Sequence, residues 1–171
     1  MILSPHAIFG AAVASLVPNH PVFGFGLGFI SHFVLDAIPH KDYKLISTEA
    51  GSDGRMESLN TVERKTKLTR DIILVSFDAF IGLYLSFIFF FNLNYPWIFL
   101  IGVIGSLLPD FFTFLYLILK HKPFILFFKF HASIIHSKII LKLNQITGVV
   151  LQFITVAILI TIIYGIKSLI V

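Results

Sequence analysis

The sequence predicts an all-α polytopic membrane bundle of about five or six helices, on three observations. Of 171 residues, 57% are hydrophobic and only 13% charged, about half the charged fraction usual in a soluble domain. Mean hydropathy is +0.92. The apolar residues gather in long stretches separated by short polar or proline-bearing turns. In lipid every backbone N–H and C=O must be satisfied internally, so such stretches fold as helices.

Residues 6–17 and 22–38 form a helical hairpin about Val17-Pro18-Asn19-His20-Pro21, whose prolines stop one helix and start the next. At 1.5 Å per residue they reach roughly 18 and 25 Å against a hydrocarbon core of about 30 Å, so the pair is either re-entrant or packed within the bundle. The start Met-Ile-Leu-Ser-Pro-His lacks a basic region, so the first segment is expected to stay in the mature protein. Residues 39–70, with Gly51-Ser52-Asp53-Gly54 at their middle, read as an exposed polar loop within a single membrane domain, 1–171. Residues 71–91 cross the membrane, Asn92-Leu93-Asn94-Tyr95-Pro96 turns, and 97–119 cross back. Lys129, His131, His136 and Lys138 among Phe, Ile and Leu make 124–141 an amphipathic helix at the interface. The last span, 145–166, has no acidic residue and reads as scaffold and anchor.

Loop 39–70 and the segment around 120–142 hold twelve of the thirteen Lys and Arg. The positive-inside rule sets both on the cytoplasmic side, with the 92–96 turn outside. Helix-end anchoring and anionic headgroups account for the net charge of +4, and nucleic acid is not expected as a partner. With no cysteine, a metal ion has only His, Asp and Glu to bind.

Polar residues recur in register inside this apolar chain. His6-Ala-Ile-Phe-Gly10 matches Asp78-Ala-Phe-Ile-Gly82, and Gly28 to Asp36 has the same eight-residue interval as Gly102 to Asp110. The pattern fits duplication of a helix pair, or the chance matching that apolar stretches allow. His32 and Asp36 are four apart on one helix face, with Pro39-His40 beyond the helix end, and such a pair chelates zinc or another borderline divalent ion well. Each residue also has an ordinary structural use: a histidine as a hydrogen-bonded core residue, an aspartate as a helix cap, Asp71 beside Arg70 as a solvated helix-end charge. Number favours a site. His6, His32, Asp36, Asp78 and Asp110 come from four helices at one expected depth, and no intramembrane Lys or Arg neutralises the acids. His131 and His136 are five apart, so on a regular helix one faces such a site while the other, or Ser137, contacts substrate or supports a ligand.

The stretch Ser31-His-Phe-Val-Leu-Asp-Ala-Ile-Pro-His40-Lys-Asp-Tyr43, with His6, Leu108-Pro109-Asp110 and His131…His136-Ser137, resembles the YdjM-like family of inner-membrane metal-dependent hydrolases over nearly the whole chain. The resemblance implies a prokaryotic inner-membrane location and roles for His6, Asp110, His131 and His136. His32-x3-Asp36-x2-Pro39-His40 is more distantly similar to the ligand motif of zinc-dependent phospholipase C. Here the second histidine follows too closely and no later His-x3-Glu or His-x3-Asp pair occurs, so one or two ions are expected in place of three.

The expected activity is metal-assisted hydrolysis of a phosphoester such as a lipid headgroup at the cytoplasmic interface, with zinc or manganese as cofactor. Candidate ligands are His6, His32, Asp36, Asp78, Asp110 and His131; His40 and His136 are the candidate catalytic histidines, and Lys41, Lys44 or Lys138 would hold a phosphate. Two other classes remain open. An ion-binding transporter needs polar residues through both halves of its spans, and the outer halves here are Phe, Ile, Leu and Val. A non-catalytic scaffold, with loop 39–70 as its recognition element, predicts that the buried acids tolerate replacement by amides.

Overall fold

In a computed structural model, which describes residues 2–38, 40, 46, 62–119, 122–131 and 144–170, the protein is helical: α1 Leu3–Ala14, α2 Pro21–Ala37, α3 Val62–Phe90, α4 Ile98–Leu119, α5 Lys122–Phe130 and α6 Gln145–Ile170. Three stretches, Lys65–Phe90, Ile98–Tyr116 and Ile146–Gly165, are long and apolar enough to cross a membrane, the signature of an integral membrane protein. Phe77, Phe80, Phe89, Ile158 and Ile162 on α3 and α6 are among the large apolar residues left exposed, as a lipid-facing surface requires.

The short helix α1 is the centre of the bundle. Every one of its residues is buried, and it packs against α2, α3, α4 and α6. Gly10, Ala7, Ala11, Ala12 and Ala14 make it narrow, and small side chains let neighbouring backbones approach where lipid offers no hydrophobic drive for association. It begins at Leu3, three residues before the expected start, because Pro5 falls in the first turn, where a missing N–H costs nothing. Similarly, α3 begins at Val62, inside the stretch expected as loop, since Glu63-Arg64-Lys65 are good helix formers.

The contact that sets the site's register lies between α2 and α4. A Cβ added to Gly28 would stand 2.5 Å from the Gly102 carbonyl oxygen, so two glycine backbones touch there. One turn further on, the His32 side chain meets the Ser106 carbonyl. One turn beyond that come Asp36 and Asp110. Gly24 packs on Ile98 one turn earlier, so the two helices run parallel with partners 74 residues apart. The counterparts of the sequence repeat, Gly28 with Gly102 and Asp36 with Asp110, thus meet across one helix contact, while α1 runs antiparallel to both.

Candidate metal centre

Two imidazoles and two carboxylates converge where α2 and α4 end their contact. His32 has none of its surface exposed, and its Nδ1 donates to the Ser106 carbonyl oxygen at 2.8 Å. A neutral ring so held presents a bare lone pair at Nε2. His131 is buried just beyond the end of α5. Thr113 gives its hydroxyl proton to the Pro109 carbonyl at 3.1 Å, so its oxygen is free to accept from His131 Nδ1 at 3.3 Å. His131 Nε2 points the other way, to the Asp36 carboxylate.

These two nitrogens stand 2.9 Å apart. Asp36 Oδ2 lies 3.1 Å from His32 Nε2 and 2.7 Å from His131 Nε2. Asp110 Oδ1 lies 3.6 Å from the first and 3.8 Å from the second. Ligands at about 2.0–2.2 Å from a tetrahedral ion are separated by roughly 3.3 Å, and these five spacings bracket that value, with Asp36 and Asp110 in different three-residue groups. Asp110 Oδ1 is buried with no hydrogen-bond partner among the described residues. Lone pairs packed this closely in an apolar interior require shared protons or a cation. The buried groups His6, His32, Asp36 and His32, Asp110, His131 could each hold a metal ion.

Two more histidines border the cluster on its α1 side. His6 Nε2 is 3.5 Å from Asp36 Oδ1, and its ring lies 4.4 Å from that of His32. His40 donates from Nδ1 to the Ile38 carbonyl at 2.8 Å, which turns Nε2 to within 4.0 Å of Asp36 Oδ1. A cavity of about 10 Å³, roughly the room of one water molecule, adjoins both rings and Gln152.

Aromatic packing delivers His131 to this place. Phe112 meets Phe127 at 5.4 Å and Tyr116 meets Phe128 at 4.7 Å, fastening α5 to α4. Phe33 sits edge-on to His32 and to His131, and Phe127 stacks on His131. The rings screen the cluster from solvent, which strengthens every electrostatic interaction inside it.

The structure thus brings His6, His32, Asp36, Asp110 and His131 together, with His40 at the edge. Asp78, expected among the ligands, is used otherwise. Its carboxylate accepts from Leu3 N at 2.5 Å and from Ser4 N at 3.4 Å, satisfying orphan donors of the first turn of α1. Pro5, next in that turn, has no donor to satisfy. Asp71, read as a solvated helix-end charge, is 3% exposed and lies 3.7 Å from the Arg70 guanidinium. His136, Ser137, Lys41, Lys44 and Lys138 lie outside the described residues.

Sequence reading missed Thr113 and Gln152. Thr113 follows Asp110 by three residues and so shares its helix face. Gln152 is the one amide within the apolar span Ile146–Gly165 of α6, which is itself a marker of function in a membrane span. No protein-family model, curated protein or solved structure matches the chain.

Proposed function

We propose that the protein is a membrane-embedded metal-dependent hydrolase acting on a phosphoester, with a lipid headgroup at the cytoplasmic interface as substrate and zinc or manganese as the ion. The observation that carries this reading is the convergence of His32 Nε2 and His131 Nε2 on Asp36 and on Asp110 Oδ1, a buried oxygen with no hydrogen-bond partner among the described residues. A divalent ion bound there would supply a Lewis acid for the phosphoryl oxygen and acidify a water.

The remaining chemistry falls to the chain. The Ser106 carbonyl and the Thr113 hydroxyl fix the tautomer and tilt of His32 and His131, the orienting role such partners play behind metal-bound histidines. Asp36 touches both imidazoles and keeps the two halves of the donor set at one distance. His40, hydrogen-bonded through Nδ1 and facing the small cavity with Nε2, stands where a proton can be passed between Asp36 and a substrate. The basic residues of 39–70 and 120–142 would attract an anionic headgroup to this end of the bundle. The resemblance to the YdjM-like hydrolases points the same way.

The deciding experiment is metal content of the detergent-purified protein by elemental mass spectrometry, for the parent and for Asp36→Asn and Asp110→Asn at matched thermal stability. Stoichiometric zinc or manganese in the parent, lost in both variants, supports one shared centre and leads to a screen of lipid phosphoesters for metal-dependent hydrolysis. No bound metal after divalent-ion addition, or unchanged metal in both variants, ends the reading.

A further inference from the structure

A lateral groove opens between α3 and α6 with α1 as its floor. Among the described residues these two helices meet at the Phe90 and Tyr164 rings, 6.3 Å between centroids. Between them and Ile8 of α1 lies a cavity of about 440 Å³, within the range of roughly 300–1,000 Å³ typical of small-molecule sites. Its walls are Leu85, Phe89, Phe153, Ala157 and Ile160. The two hydroxyls on its lining are already engaged: Thr161 donates to the Ala157 carbonyl at 2.8 Å, and Tyr164 is hydrogen-bonded to Ser15. The groove therefore offers an occupant hydrocarbon alone.

One end of the groove reaches the polar site. Val156 lines both the groove and the small cavity beside His6 and His40. One turn away, Gln152 projects into that small cavity, 9% exposed, with an Oε1 that has no hydrogen-bond partner among the described residues. Such a buried acceptor is destabilising unless a donor fills it. From Val156 to Tyr164 the groove follows α6 for about 12 Å, away from the cluster and toward the far end of the span Ile146–Gly165.

We propose that this groove binds one acyl chain of a membrane lipid, entering sideways from the bilayer, and that Gln152 holds the first polar group above the chain. The substrate of the hydrolase reading, on which this choice of headgroup rests, is then an acyl phospholipid in place of a free phosphoester. Apolar tail and polar head are recognised by adjoining surfaces of one cleft.

The probe is a phosphatidic acid with a diazirine at the end of one acyl chain, in phosphatidylcholine vesicles holding the full-length protein, with metal content measured on the same samples. Labelling is expected on Leu85, Phe153 and Ile160, suppressed by unlabelled phosphatidic acid. Ala157→Trp, which fills the groove from an exposed position of α6, should reduce it about tenfold, while Ile158→Trp, on the lipid-facing surface, should leave it unchanged. Label spread evenly over Phe77, Phe80, Ile158 and Ile162, or indifferent to Ala157→Trp, overturns the proposal. So does a groove closed by a second copy of the chain, seen as a dimer by native mass spectrometry with the groove unlabelled. The two readings fail separately: selective labelling without bound metal keeps the groove and removes the hydrolase, and bound metal with unselective labelling does the reverse.

Discussion

Asp78 on α3 and Asp110 on α4 each lie inside a helix long and apolar enough to cross a membrane, yet they meet opposite kinds of neighbour. Asp78 faces backbone N–H groups at the start of α1. A carboxylate there completes hydrogen bonds that no water would make and sits at the favourable end of a helix dipole. Asp110 faces the Nε2 atoms of two imidazoles, 3.6 and 3.8 Å away, and no backbone donor among the described residues. The difference teaches that an acid in a membrane helix, costing roughly 2.5–3.5 kcal/mol on insertion scales, is assigned its task by whether its neighbours are backbone donors or potential metal ligands.

The sharpest way to break that comparison is to neutralise each acid. Asp110→Asn is expected to abolish stoichiometric metal binding, and Asp78→Asn to leave it intact, in elemental analysis of the purified proteins. Equal metal loss in both would make the two acids members of one centre and remove the distinction drawn above.

A smaller effect is expected from Thr113→Val. The variant keeps all four converging donors but removes the oxygen that orients His131, so divalent-ion affinity should fall by roughly 10–100-fold, the usual cost of losing such a support. Titration with a competing chelator measures it. Unchanged affinity would mean that the Phe33 and Phe127 rings alone position His131.

How far the sequence discloses these roles depends on whether a residue acts through local spacing or through a distant contact. The His32-x3-Asp36 pair is legible because both members lie on one helix. The apolar spans and proline-bearing turns likewise dictate a helical membrane bundle, and the repeat marks Gly28, Asp36, Gly102 and Asp110 as counterparts. The cap made by Asp78 is invisible in sequence, because its partners are backbone groups 75 and 74 residues away. The choice of His131 depends on aromatic pairs between α4 and α5, and Phe-rich helices offer many such pairings. The central place of α1 is only half legible: a helix too short to span reads equally as re-entrant or as packed within the bundle, and its small residues, which let four other helices surround it, decide for the second.

Gly28→Ala tests whether the α2 and α4 register holds the centre together. Its new methyl group would meet the Gly102 carbonyl at 2.5 Å, and backbone on both sides leaves nothing flexible to yield. Overpacking of this kind costs roughly 1–3 kcal/mol. A lower thermal midpoint in detergent, together with weaker metal binding, is expected. Gly26→Ala, with open space around its added carbon, is the matched control.

The smallest effect belongs to the cap. Asp78→Ala leaves the Leu3 and Ser4 N–H groups without their carboxylate, and loss of an N-terminal cap costs about 0.5–2 kcal/mol. Stability should fall by that amount in thermal unfolding, while metal stoichiometry per folded molecule stays that of the parent. Asp78→Asn keeps one acceptor oxygen and should recover part of the loss. The order Asp, Asn, Ala in stability with constant metal content is the behaviour of a cap. A ligand would give the reverse, metal lost at the first step, since an amide keeps the shape of a carboxylate and discards its charge.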